Sequence, residues 1–181
     1  MRPVYDPGAV SHLIPWWISG GPVSVLTLGS SYFATPAATA RLFGLPAVLE
    51  LNLWDPIKND PRKRAAFLKQ DVDEFIATME RWATTFIPSG DSPVPGMSVN
   101  DFKRLTMPTL IVRGAVTDIY HPAYISEAVH ELIPHSEITD PPWDDDSPMR
   151  CLAHSQSTGT GTSPFMEWPM LAPLIIDFTS R

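Results

Sequence analysis

"LTMPTLIVRGAVTDIYHPAYISEAVHELIPHSEITD", residues 105–140, is the stretch whose reading decides the fold. Its run TLIVRG at 109–114 is apolar without alternation, the pattern of a strand covered on both faces in a parallel sheet. Gly114 closes the run, and a short loop follows that carries Asp118. His121-Pro122 then opens a helix through Ile133, with Ile125, Ala128, Val129, Leu132 and Ile133 on its apolar side. HSEITD at 135–140 is a second, shorter strand. Strand, helix and strand joined this closely make a βαβ unit of the α/β class, with a right-handed crossover.

Upstream, VSHLIPWWI at 10–18 is a short apolar run that reads as a buried strand, interrupted by Pro15 and ended by Gly20-Gly21-Pro22. Residues 22 to about 95 are mostly helical. Thr35 reads as an N-cap before Pro36, with Gly44 as the stop, and Asp60 caps a second helix started by Pro61. DVDEFIATMERWATTF is the clearest amphipathic segment. Asp71 and Glu74 stand at capping-box spacing, and Val72, Phe75, Ile76, Met79, Trp82, Ala83 and Phe86 form one stripe. Residues 87–97 are a turn-rich linker, after which Ser98 and Asp101 open one more helical turn. Residues 141–165, rich in Gly, Ser, Thr, Asp and Pro, read as a long loop. FMEWPMLAPLIIDFTS reads as a terminal helix with Pro173 in its first turn.

The bulk numbers narrow the function classes. The chain has 181 residues, 44% of them hydrophobic, enough for a real core. Thirteen basic against 20 acidic residues give a net charge of -7, which disfavours nonspecific binding to nucleic acid or anionic membrane. The single cysteine, Cys151, excludes an intrachain disulfide framework. The five histidines contain no HExxH pair, so neither a metal nor a cofactor is expected. No signal-peptide pattern and no run of transmembrane length is present, so the expected location is cytoplasmic.

The segment PTLIVRGAVTDIYHPAYISEAVHELIP resembles the late part of the α/β-hydrolase fold. In that fold the penultimate core strand ends in Gly, a following Asp is the triad acid, and a Pro-started helix leads to the last strand. The matching positions are Thr109 to Arg113, Gly114, Asp118, Pro122 and Glu137 to Thr139. SHLIPWWISGG resembles the strand before the lid, and the helical region resembles the lid. The resemblance implies the C-terminal part of a parallel sheet with a helical lid. It divides the chain into 1–21 as first strand and lid entrance, 22–97 as lid and 98–181 as C-terminal core. The implied chemistry is serine-type hydrolysis of a small apolar ester, amide or related bond.

The chain departs from that pattern at the nucleophile. No GxSxG elbow is present, and Ser30 in TLGSSYF lacks the second glycine. The nucleophile is therefore expected from an upstream segment or a partner chain. Such completion also answers the open edge of a short parallel sheet, which invites a partner or a second copy to form a homodimer. Asp118 is the expected acid. His154, the only histidine after the second strand, is the expected base if the long loop folds back. His121 reads as a cap or shield of the Pro122 turn, with a catalytic role as the alternative. Asp144, Asp145 and Asp146 read as a solvated acidic loop without EF-hand spacing. Trp16, Trp17, Phe33, Trp82 and Trp143, with Trp168, are the aromatic candidates for an apolar ligand pocket. The reading from another class is a noncatalytic ligand-binding or interaction module that keeps the fold without the chemistry.

Overall fold

The computed structural model describes residues 6–87, 90–158 and 164–181; residues 88–89 of the expected linker and 159–163 of the expected loop lie outside them. The chain divides into two compact units, one built from Met1–Ser24 with Pro88–Arg181, the other from Val25–Ile87.

The first unit is organised by a parallel pair, β1 (Leu110–Val112) and β2 (Glu137–Thr139), in the register Leu110 to Glu137, Ile111 to Ile138 and Val112 to Thr139. All three residues of β1 are buried, which is why its sequence shows no polar alternation. The connecting helix runs Ala123–Leu132 and buries Ala123, Ile125, Ser126 and Val129. Ile111, Ile125, Val129 and Ile133 join Met97, Phe102, Leu105 and Met107 in one apolar core. Burying such a side chain fully contributes about 1.5–3 kcal/mol. The short helix Val99–Lys103 enters this core through Phe102, and its start carries a complete capping box between Ser98 and Asp101.

The expected strand at 10–18 is realised only in part. Leu13 donates to Pro108 O at 2.9 Å, and Leu110 and Val112 donate to Leu13 O and Pro15 O at 2.9 and 3.0 Å. Leu13 forms one parallel bridge to Thr109 and no longer ladder. Pro15 has no N–H to return to β1, so the ladder stops there. Gly21 follows with φ 71, donates to Pro93 O at 3.0 Å and begins the helix Gly21–Gly29.

The second unit is helical. Its core joins Ala37, Ala40, Leu45, Val48 and Leu49 with Phe67, Phe75, Ile76 and Met79. The helix Val72–Thr85 buries Phe75, Ile76 and Met79 of the expected stripe. Asp71 caps it by accepting from Glu74 N–H, and Asp60 caps Pro61–Phe67 by accepting from Arg62 and Lys63. Gly44, at φ 78, ends the helix Thr35–Phe43 as expected. Thr35 is not that helix's N-cap. A π-helical turn, Ser30–Ala34, precedes it, and Thr35 N–H donates to Ser30 O. Pro36 explains the widening: it brings no N–H, and its ring crowds the carbonyl four residues back unless the turn opens.

Two further expectations are corrected in the first unit. Residues Ser147–Thr158, expected within a loop, form a helix. Pro148 fits a first turn, and Met149, Arg150, Leu152 and Ala153 are good helix formers that outweigh the polar composition around them. The expected terminal helix is a 3-10 segment, Pro164–Leu171, with Pro169 inside it, followed by an α-helix, Ala172–Thr179, with Pro173 in its first turn. The Ser147 hydroxyl donates to Glu167 Oε1, tying the two segments together.

Candidate active site

The loop after β1 is built by close backbone approach. A Cβ on Gly114 would stand 2.1 Å from His121 O, so only glycine fits. Gly114 N–H donates to the buried Ser126 hydroxyl at 2.9 Å. Ala115 bridges to Pro122, and Ala123 N–H donates to Ala115 O at 3.2 Å. The Ser24 hydroxyl, fully buried, donates to Tyr120 O at 2.5 Å. These contacts close the loop around Asp118.

Asp118 is 4% exposed. Its Oδ1 accepts from Tyr120 N–H at 2.7 Å and His121 N–H at 3.1 Å, while Oδ2 lies 3.0 Å from His121 Nδ1. Burial pushes this carboxyl up. The hydrogen bond and charge of His121, with the two backbone donors, outweigh burial and hold it below the ordinary carboxylate range. With Nδ1 engaged by Asp118, Nε2 is the nitrogen left to exchange a proton. The imidazole lies flat on Trp17, with centroids 4.7 Å apart and an angle of 16°. Trp17 holds that place at φ 51, a left-handed conformation rare for a bulky residue. Trp168 packs edge-on against Trp16 and Trp17 at 5.5 and 5.4 Å.

The partner at the Asp118 carboxylate is thus His121. His154 stands exposed on the helix Ser147–Thr158. The segment after β2 brings acids to this neighbourhood: Arg113 bonds Asp140 at 2.6 Å and Asp145 at 3.1 Å, and Thr117 Oγ1 donates to Asp145 O at 2.9 Å. Asp144 pairs with Arg150 at 3.5 Å. Among the described residues no cluster of His, Cys, Asp and Glu is arranged to hold a metal. Trp17 stacks on His121, Trp16 reaches that cluster through Trp168, and Trp143 is partly buried in the loop after β2. Phe33 and Trp82 belong to the second unit, where they pack edge-on at 6.1 Å. The signal that finds His121 in the sequence is Asp-x-x-His ahead of a proline, three residues apart in one turn. No sequence signal marks Trp17 for a positive φ.

The crystal structure of the enol-lactonase from Burkholderia xenovorans LB400 matches 99% of this chain, with a TM-score of 0.45 and 12% identity. The described elements are a parallel pair of strands, a helical crossover between them and surrounding helices. The match covers 60% of the enol-lactonase chain, so this chain spans under two thirds of that protein's length. No protein-family model and no curated protein matches the sequence. Among the described residues no helix is long and apolar enough to cross a membrane.

Proposed function

We propose that this chain is the acid-bearing portion of a hydrolase-like protein, completed by a segment or partner chain that supplies the nucleophile and oxyanion hole. The reaction is serine-type hydrolysis of a small apolar ester, amide or related bond. The observation that carries this reading is the buried Asp118 carboxylate on His121 Nδ1 at 3.0 Å. In acyl transfer such a pair fixes the tautomer and steadies the imidazolium, while Nε2 takes the nucleophile's proton and returns it to the leaving group. Trp17 supplies the apolar face against that imidazole, and Trp168 packs edge-on against Trp17 and Trp16. In this revised reading His121 takes the base role first expected of His154.

Completion has a natural place. Leu13 and Pro15 bond to β1, so strand alternation turns the N–H and C=O groups of Ile14 and Trp16 to the opposite edge. Pro15 lies on the paired side and does not blunt that edge. The test is esterase activity of the completed protein, with His121→Ala and Asp118→Asn. Loss of about 10³-fold or more in kcat for His121→Ala, with folding retained, supports the assignment. Unchanged turnover sinks it.

A second reading, a noncatalytic binding module, is favoured by one observation. All of Asp118's hydrogen bonds close within its own turn, as in a structural Asx-type lock. Binding of apolar ligands without turnover in the completed protein would select it.

A further inference from the structure

The second unit holds a cavity of about 350 Å³ that the hydrolytic reading does not use. Its apolar lining is Trp54, Ile57, Phe67, Phe75 and Met79. The three aromatic rings form one cluster: Trp54 lies 4.9 Å from Phe67 and 5.7 Å from Phe75, and the two phenyl rings stand edge-on at 5.5 Å. Phe67 and Phe75 are buried, while Trp54 is only partly buried. Asp71 and Glu74 stand on the same lining. Neither forms an ion pair among the described residues, whereas Glu50, Asp60 and Glu80 nearby in sequence each have a cation.

The charged side chains on the lining itself are both acidic. Asp71 and Glu74 contribute two negative charges, and the N-terminus of Val72–Thr85 offsets about +0.5 of them. A net charge of about −1.5 remains beside an aromatic wall. An anionic ligand is repelled there, and a neutral one gains nothing from the acids. A cation gains twice, from the carboxylates and from the face of Trp54, the aromatic ring that best attracts cations. Strongly hydrated metal ions prefer oxygen ligands throughout, whereas an alkylated ammonium carries its charge on an apolar surface that matches this lining.

We propose that this cavity binds a small alkylated ammonium, with Trp54 against the cation and Glu74 as its counter-ion. Asp71 Oδ1 accepts from Glu74 N–H at 2.9 Å, which holds that side chain at the helix start, whereas the Glu74 carboxylate makes no such bond among the described residues.

The test compares choline with its neutral isostere, in which carbon replaces the ammonium nitrogen, by proton NMR titration of the full chain. Choline is expected to bind, with its methyl resonances shifted upfield by the rings. The isostere should bind more weakly. Glu74→Gln, an exposed change that leaves Asp71 as cap, should weaken choline about threefold, as loss of a surface ion pair does. Trp54→Leu should weaken choline about threefold and abolish the upfield shift. Equal binding of choline and the isostere, no binding of choline, or choline binding indifferent to Glu74→Gln would each overturn the proposal.

Discussion

Asp118 is the residue on which the stability of the loop after β1 and the proposed chemistry both turn. Its lowered carboxyl contributes stability that is present above the unfolded value of about 3.9 and lost as pH falls through the lower folded value. Asp118→Asn should therefore lower stability by about 2 kcal/mol at neutral pH. The gap from the parent should narrow on acidification below about pH 4. Chemical denaturation at a series of pH values measures this. A gap that stays constant to pH 2 would show that the carboxylate charge contributes nothing. Gly114 is the second decisive residue. Gly114→Ala drives a methyl into a backbone carbonyl that no rotamer change can move, at a cost of about 2–3 kcal/mol. A melting temperature within a degree of the parent would contradict the close approach.

At the scale of elements, the βαβ unit and the amphipathic helix were legible because burial wrote them directly. β1 is covered on both faces and its sequence is apolar throughout, while Val72–Thr85 buries one face and repeats at helical spacing. Local capping chemistry was equally readable at Asp60, Asp71 and Ser98. Ser98→Ala removes a complete capping box and should cost about 1 kcal/mol by thermal or chemical unfolding. No change on unfolding would mean that Phe102 burial alone sets that helix. What escaped the sequence depended on contacts outside each segment's own pattern. Thr35-Pro36 looks like a helix start, yet an upstream helix reaches it and absorbs the proline in a π-turn. The acidic, serine-rich stretch near 147 looks like loop, yet Ser147 is fastened to Glu167, twenty residues on. The geometry of the candidate site was half legible for the same reason. The position of Asp118 follows from strand, glycine and loop, but its contact with His121 depends on how the turn closes and on where Trp17 lies.

For the whole molecule, the weight falls on the sheet. Its described pairing is β1, β2 and the short run at Leu13–Pro15, too little to form an ordinary independent α/β core. The apolar residues Val10, Leu13, Ile14, Trp16, Trp17 and Ile18 remain only partly buried. Together these features favour completion by further strands on the Ile14 and Trp16 edge, the same completion that is proposed to bring a nucleophile to His121 Nε2. The direct measurement is intact mass spectrometry under native conditions on protein purified from its own source, with every polypeptide sequenced. The account predicts that these residues occur either continuous with, or in stoichiometric complex with, a polypeptide carrying a Gly-x-Ser-x-Gly segment. A homogeneous species made only of the 20.0 kDa chain would contradict it.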